Sequence, residues 1–269
     1  AIQAALNAST CVVVPPGIYK FSTLTIPMRG SLFYGAGQRS VLVHTGSGTA
    51  ITCNDSSSTI YPGGAPAYVN DGQFTLRDFT LYTNGTIGIN FAGNRTTGSS
   101  VERVYMKPYA YYSAYTNSTY QTNTTAISCD NGTWASSYAT YGILIRQCWI
   151  AGYQNAILLN STVNFWEIDS VYAIDNLNFL NLAYAAGTTG IKLCNSYVES
   201  GVAAARGVVF GVGGGNQIGV IATTFEFTNV VATQYAYDFS AGGTWTQINV
   251  YNCKYLIQGD GNNVNNRRI

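Results

Sequence analysis

Charged side chains are scarce in this chain, so the few that recur at intervals are the first candidates for chemistry. Only 9% of the 269 residues are charged, and 12 are acidic. Arg77, Glu102, Arg146 and Glu167 alternate in sign along the sequence. Two carboxyl groups held about 6.5–9.5 Å apart can act as acid and base in the inverting hydrolysis of a glycosidic bond. Whether these side chains meet depends on the elements that carry them.

Each of the four lies in a six-residue pattern: apolar, any residue, polar, small or apolar, any residue, apolar. The copies begin at residues 76, 101, 145, 167, 193, 222 and 250. Neighbouring copies are 22–29 residues apart, except for one separation of 44. Such a period is typical of a β-solenoid, in which each lap holds a few short strands joined by corners.

A β-sandwich is the alternative all-β fold, but its strands would recur about every 8–12 residues without a longer period. We therefore predict a single-stranded, right-handed parallel β-helix that forms one domain over residues 1–269. The first positions of the copies should line one interior wall: Leu76, Val101, Ile145, Leu193 and Val250.

The polar third positions of the copies should lie at a corner, where stacked side chains bond the backbone of the next lap. These residues are Asp78, Gln147, Asp169, Asn195, Thr224 and Asn252.

The second positions should point outward and form a column, because neighbouring laps lie about 4.8 Å apart. Glu167 would join Arg77, Glu102 and Arg146 only if a one-residue bulge placed it beside Arg146; otherwise it points inward. One interpretation is a ladder of surface ion pairs, each worth about 0.2–1 kcal/mol. The other is a glycan cleft with Glu102 and Glu167, roughly 9–10 Å apart at the backbone, as catalytic carboxylates. Arg146 and Asp169 complete that candidate set.

Other chemistries have less support in the sequence. The acidic residues are mostly isolated, and no CxxC motif occurs, so we predict no metal and no cofactor. Asp175 and Glu199 are reserve carboxylates, and the single histidine, His44, is expected to be structural. The six cysteines are far apart, and we expect free, buried thiols rather than a disulfide framework.

The separation of 44 residues contains an extra segment, residues 107–141, which we predict to be a protruding loop rich in Tyr and Asn. Flat rings that tolerate water, among amides and hydroxyls, suit the apolar faces and hydroxyls of sugars. The same composition suits packing between identical subunits. The candidate substrate-binding residues are Tyr111, Tyr112, Tyr115, Trp134 and Tyr138.

The N-terminal region reads as a helix, a strand, a rigid corner and a second strand. Ala1–Leu6 favours a short helix, which should cap the first lap within residues 1–10 and block its exposed sheet edge. Pro15 and Pro16 end the Val12–Val14 strand, and Gly17 permits the turn into Ile18–Phe21. The chain does not begin with Met, and we expect the native protein to extend upstream.

Taken with Tyr34-Gly35-Ala36-Gly37, this region resembles the pectate-lyase-like superfamily over about the first 40 residues. It is most similar to the branch of bacteriophage tailspikes and capsule depolymerases. The resemblance implies a homotrimer on a virion surface or in the extracellular space, with attachment through an upstream region. It carries no catalytic motif across, because members of the superfamily include lyases, hydrolases and binding proteins.

Bulk composition restricts the partners. The net charge is +1 and no apolar run approaches the roughly 20 residues of a membrane span, so we expect neither nucleic acid nor a membrane as partner. We expect a phage tailspike-like protein that binds a host surface polysaccharide and depolymerises it as a hydrolase or lyase. The alternatives are a non-enzymatic receptor-binding or capsid-decorating virion protein, and a secreted microbial polysaccharide lyase or hydrolase.

Overall fold

The protein is a parallel β-helix with three parallel sheets, as predicted. The computed structural model describes residues 1–27, 30–53, 73–92, 98–109, 119–129, 140–160, 163–183, 188–228 and 234–257. Each lap visits the first, second and third sheet in turn, so strands that pair in space are separated by a whole lap in sequence.

The first sheet runs through β1 (Cys11–Val14), β4 (Ser31–Gly35), β7 (Phe74–Arg77), β10 (Ser100–Glu102), β14 (Leu144–Arg146), β18 (Glu167–Asp169), β22 (Lys192–Cys194), β25 (Gly214–Ile221) and β28 (Thr244–Tyr251), with the short strands β13 (Thr140–Tyr141), β17 (Val163–Asn164) and β21 (Thr188–Thr189) joined to β25.

The second sheet contains β2 (Gly17–Phe21), β5 (Ser40–His44), β8 (Thr80–Thr83), β11 (Tyr105–Pro108), β15 (Trp149–Ala151), β19 (Tyr172–Ile174), β23 (Tyr197–Ser200), β26 (Thr224–Phe227) and β29 (Lys254–Ile257). The third contains β3 (Leu24–Ile26), β6 (Thr49–Cys53), β9 (Ile87–Phe91), β12 (Gln121–Cys129), β16 (Tyr153–Leu159), β20 (Asn178–Leu182), β24 (Arg206–Phe210) and β27 (Tyr235–Asp238). A 3-10 helix covers Gly37–Arg39.

The predicted interior wall is confirmed. Leu76 pairs with Val101, Val101 with Ile145, and the register continues through Ile168, Leu193 and Val220 to Val250. Two copies of the pattern were therefore misplaced, since they begin at Ile168 and Val220 rather than at 167 and 222. The reason is that apolar residues two positions from the true start, such as Trp166 and Ala222, fit the same alternation of inward and outward side chains.

The corner between the first and second sheets is short and regular. From β7 onward, two residues separate a strand of the first sheet from the strand of the second sheet that follows it in the chain. Pro15-Pro16 forms the same corner in the first lap. The first corner residue adopts a left-handed backbone, with φ between 50° and 61°, at Asp78, Arg103, Gln147, Ser170, Asn195, Ala222 and Asn252.

Backbone hydrogen bonds connect successive laps at this corner, and side chains add to them. The N–H of Asp78 donates to the carbonyl of Glu102, and that of Gln147 donates to the carbonyl of Asp169. A side chain does bond the backbone of a neighbouring lap here, but it belongs to Ser196, whose Oγ accepts from the N–H of Val171 at 3.2 Å, and not to a predicted third position. Asp169 and Thr224 are not corner residues. A stack of amides lies instead on the third sheet, where Asn178 and Asn181 donate to Asn155 Oδ1 at 2.9 and 3.0 Å.

Helix α1 (Ile2–Ala8) covers the start of the solenoid, as predicted. Leu6 is buried in the core. The side-chain amide of Gln3 donates to the carbonyl of Thr25 and accepts from its N–H, both at 2.8 Å. Gln3 thus takes the place of a neighbouring strand at this edge of β3, which satisfies backbone groups that pairing would otherwise leave open.

The segment 107–141 is not a loop throughout. Its central part forms β12, which pairs with β9 on one side and β16 on the other. This corrects the predicted protrusion, because a strand of the third sheet accounts for part of the long interval. Residues 110–118 and 130–139 lie outside the described part of the chain.

Two further expectations concern composition. None of the six cysteines forms a disulfide, and Cys53, Cys129, Cys148 and Cys194 are buried whereas Cys11 is exposed. In the described ranges, no helix is long and apolar enough to cross a membrane.

Candidate functional site

The outer face of the first sheet carries the predicted column of charges, except that Asp169 stands where Glu167 was expected. Arg77, Glu102, Arg146 and Asp169 follow one another in register on β7, β10, β14 and β18. We call these four residues the ion-pair column. Their neighbours Leu76, Val101, Ile145 and Ile168 are buried, and the period of two in a strand turns the charged side chains outward.

Glu167 does not lie beside Arg146, and the predicted bulge is absent from this pairing. Glu167 aligns with Leu144 on one side and Lys192 on the other, two residues before Asp169. It nevertheless points outward: its side chain is 45% exposed and its Oε1 lies 3.0 Å from Lys192 Nζ. Glu102 and Glu167 therefore occupy different columns, roughly 12 Å apart at the backbone, which makes the predicted pair wrong as a facing pair.

Asp169 is a firmly ionised carboxylate. Burial alone would raise the pKa of Asp169, but hydrogen bonds from Asn195, Cys194 and Ser170, together with the charge of Arg146, outweigh burial and lower that pKa. Asn195 Nδ2 donates at 2.9 Å, and Arg146 Nε lies 3.6 Å away. A carboxyl group held in this way is poorly suited to donate a proton at neutral pH.

The other acids of this face are also paired with cations. Glu102 accepts a hydrogen bond from Ser100 at 2.9 Å and lies 3.4 Å from Arg103. Arg103 also donates twice to Asp78, at 2.6 and 3.0 Å. These contacts match the ladder of ion pairs that the sequence left open as one of two interpretations.

The outer face of the second sheet carries a column of rings. Tyr105, Trp149, Tyr172 and Tyr197 follow in register on neighbouring laps. The rings of Tyr105 and Trp149 are stacked, with centroids 3.9 Å apart and planes 5° from parallel. Because each of these rings covers a face of the other, this end of the column presents ring edges rather than faces outward.

Two carboxylates stand next to the other end of this column. Glu199 on β23 pairs in register with Glu226 on β26. Tyr172 donates from its hydroxyl to Glu199 Oε2 at 2.9 Å, and Tyr197 donates in the same way to Glu226. Each carboxylate is thus held by a tyrosine of the preceding lap. We call these the tyrosine–carboxylate pairs.

The tyrosine hydroxyls are donors at ordinary pH. The hydrogen bond to Glu226, followed by burial, raises the pKa of Tyr197, so this phenol keeps its proton. Like charges directly opposite each other on neighbouring strands are destabilising. Two adjacent glutamates at one register position therefore carry a local electrostatic cost.

Sequence reasoning found only part of this site. Glu199 was a reserve candidate, whereas Glu226 was not named, although it is the fifth residue of the copy that begins at residue 222. The available signal was the alternation in Tyr197–Ser200 and Thr224–Phe227, where Val198 and Phe225 are buried and both glutamates face outward.

The predicted substrate-binding residues Tyr111, Tyr112, Tyr115, Trp134 and Tyr138 lie outside the described residues. Within the described ranges, no group of three or more His, Cys, Asp or Glu side chains is arranged to hold a metal ion.

Comparison with known proteins assigns the fold. No protein-family model matches the chain, and no curated protein matches it. An alginate lyase from Paenibacillus sp. str. FPU-7 matches over 95% of this chain and 96% of its own, with 12% identity and a TM-score of 0.56. At this identity the match supports the parallel β-helix fold alone.

Two further structures match with lower scores. The A-module of the Azotobacter vinelandii mannuronan C-5 epimerase AlgE6 has 13% identity over 95% of this chain and 90% of its own, with a TM-score of 0.41. The catalytic domain of a GH87 alpha-1,3-glucanase, in complex with tetrasaccharides, has 11% identity over 97% of this chain and 65% of its own, with a TM-score of 0.37.

Proposed function

We propose that this protein binds a polysaccharide along the outside of the solenoid and cleaves it at Glu199 and Glu226. The observation that carries the proposal is the register of these two carboxylates on neighbouring laps, each held by a tyrosine hydroxyl. The fold shared with an alginate lyase and the wealth of tyrosine and amide side chains on this chain are consistent with a glycan substrate.

The spacing of the pair suits a retaining hydrolase. Neighbouring laps are about 4.8 Å apart, and retaining enzymes hold their carboxyl groups about 5–5.5 Å apart. One carboxyl group protonates the leaving glycosidic oxygen while the other carboxylate attacks the anomeric carbon, which forms a glycosyl ester. Water, deprotonated by the first residue, then displaces the ester and restores both groups.

The test uses single substitutions of the pair and a matched control. Glu199→Gln and Glu226→Gln should each abolish the release of reducing ends from a panel of bacterial and algal surface polysaccharides. Asp78→Asn, which alters an ion-paired acid at a corner that tolerates asparagine, should leave the rate unchanged. Loss of activity in the control together with the pair would contradict the assignment.

The products distinguish the mechanisms. Proton NMR of the first products should show the retained anomer. An inverted anomer would favour the earlier candidates Glu102 and Asp169, which flank Arg146 two laps apart, roughly 10 Å at the backbone. A product lacking the mass of one water, with an unsaturated end, would identify a lyase instead.

We also propose the biological role, assembly and location of the protein. The resemblance of the N-terminal region supports a phage tailspike-like protein that attaches to the virion through an upstream region and recognises a host-cell polysaccharide. On this proposal it is a homotrimer on the virion surface or outside the cell. Light scattering coupled to size exclusion should give the mass of three chains; a monomer would favour a secreted microbial enzyme.

A binding protein without catalysis is the second candidate function. It is favoured by the ion-pair column, where the acids of the first sheet are neutralised by neighbouring cations. Retention of the unmodified chain on a polysaccharide that it leaves uncut would support a receptor-binding or capsid-decorating role.

A further inference from the structure

An aromatic residue stands at a corner where both neighbouring laps use glycine. A second corner lies within the first sheet, between its short strands β13, β17 and β21 and the strands β14, β18 and β22. Successive laps join there through the N–H groups of Gly142, Phe165 and Gly190, which donate to the carbonyls of Asn164, Thr189 and Asn216. All three corner residues have a left-handed backbone, with φ of 64° at Gly142, 56° at Phe165 and 72° at Gly190.

Phe165 is a costly choice for this position. A residue with a Cβ is disfavoured in the left-handed region, and a bulky one is rare there. Glycine occupies the corner on both neighbouring laps without that cost. The core does not need the ring either, since Phe165 is 59% exposed while Trp166 beside it is fully buried. Strain of this kind at an exposed site motivates a functional explanation.

The ring is held in place by the next lap. A Cβ built on Gly190 would lie 2.6 Å from Cδ1 and 3.0 Å from Cε1 of Phe165. The ring therefore rests against the backbone of Gly190, which leaves room for it only because that residue lacks a side chain. With one side of the ring supported, the remaining aromatic surface is exposed to solvent in a fixed orientation.

Polar groups follow two residues later, where β18 begins. Glu167 points outward at the start of β18 and pairs with Lys192 of the next lap at 3.0 Å. Charge is balanced within this pair, and together its two side chains offer a hydrogen-bond acceptor and a donor. An exposed ring beside such groups suits a sugar, which has an apolar C–H face and hydroxyls at its rim.

We infer that Phe165 is the stacking platform of a sugar subsite, with a pyranose ring of the bound polysaccharide on its exposed face and the hydroxyls of that sugar at Glu167 and Lys192. The inference rests on the proposed function, because it assumes a polysaccharide ligand. It adds a binding position on the first sheet, apart from the carboxylates of the second.

The test separates binding from folding. Phe165→Gly removes the ring and relieves the backbone, so the variant should melt at the same temperature as the parent or higher. Gln217→Gly, at the same corner two laps away with φ of 56°, is the matched control and should also melt no lower. Phe165→Trp should preserve binding.

Binding is measured by affinity gel electrophoresis in the Glu199→Gln background, so that bound chains are not cut. The probes are sodium alginate, polygalacturonate, xylan and dextran, each cast in the gel. On the probe that retards the parent, Phe165→Gly should weaken retention at least tenfold, whereas Gln217→Gly and Phe165→Trp should stay within twofold.

The possible failures are distinguishable. Equal retention of Phe165→Gly and its parent would overturn the subsite and leave the proposed function standing. A parent chain that none of the four probes retards would overturn both. A Phe165→Gly variant that melts well below the parent would show that the ring supports the fold, and the subsite would then be rejected.

Discussion

His44 is a buried histidine at the end of β5, with 1% of its surface exposed. The backbone of Ser22 lies within hydrogen-bonding reach of the imidazole and favours its protonated form, but burial outweighs this contact. Its ring lies close to Gly46 and Gly85, where a Cβ would approach ring atoms to 2.8 and 2.7 Å. Burial lowers the pKa of His44, so the imidazole is neutral in the folded protein at neutral pH. The expected structural role is consistent with this environment.

This burial predicts a loss of stability in mild acid. The unfolded chain takes up a proton on His44 near pH 6.5, whereas the folded chain resists protonation to a lower pH, so the free energy of unfolding should fall as pH falls below 6.5. Urea unfolding at pH 7.5 and pH 5.0 measures the difference. His44→Leu should show a smaller decrease between these values; an equal decrease would assign the effect to other groups.

Corner residues with a left-handed backbone also lower the stability of the folded chain when they carry a Cβ. Ala222 has φ of 50° and gains nothing from a polar side chain there. Ala222→Gly should raise the free energy of unfolding by about 0.5–1 kcal/mol, since relief of the Cβ clash outweighs the entropy of glycine. Ala151→Gly, in a strand, should lower it. Denaturant melts compare the two, and a decrease in both would count against corner strain.

At the scale of the element, the first sheet separates packing from charge. Its inner column is buried from Leu76 to Val220 and becomes exposed only at Val250 in the last lap. Its outer ion pairs are partly exposed, with 40% of the Arg103 side chain accessible. Screening by solvent limits such exposed pairs to about 0–1 kcal/mol each. The sheet is therefore held mainly by its inner face.

Matched substitutions within the first sheet test this balance. Ile145→Ala removes a fully buried side chain and should cost about 2–5 kcal/mol. Ile221→Ala changes a partly exposed residue on the outer face of the same sheet and should cost less than about 1 kcal/mol. Chemical denaturation monitored by tryptophan fluorescence gives both values. Similar losses would show that the outer face is covered.

At the scale of the whole molecule, the laps form a stack in which each contacts only its neighbours, so the ends need protection. Helix α1 supplies it at the start through Leu6 and the paired hydrogen bonds of Gln3 with Thr25. An uncovered edge of β3 would offer its backbone to other chains.

Removal of residues 1–9 should therefore promote association. Static light scattering during a thermal ramp should show earlier aggregation of the truncated chain than of the full one. Gln3→Ala, which keeps the helix and loses only the bonds to Thr25, should fall between them. Aggregation of the truncated chain at the same temperature as the full chain would argue against a protective role.

The sequence was sufficient for the architecture and insufficient for the register. The lap period and the wall from Leu76 to Val250 were predictable because inward positions must be apolar. Register failed near Glu167, since Trp166 and Ile168 both satisfy an alternation of two. The positions of the left-handed corner residues would have determined the register. The residue types of Arg103 and Ala222, however, do not indicate a left-handed backbone.

The candidate site depended on that register. Once a copy is displaced by one residue, its inward and outward positions exchange, which is why Glu167 was expected to need a bulge to stand beside Arg146. Phe165 could not be found at all from its type. An exposed, strained aromatic is visible only when its backbone and burial are known.

The connections that enter and leave the first sheet differ in how much their length varies, and this difference affects how such a protein can acquire new surfaces. From β7 onward, two residues join a strand of this sheet to the next strand of the second, whereas the path from the third sheet back to the first ranges from Phe210–Gly214 to Cys53–Phe74. An insertion at the former would turn a whole strand inside out, while one at the latter leaves every lap in phase. New recognition surfaces can thus be inserted between Cys53 and Phe74 without changing the register of the strands.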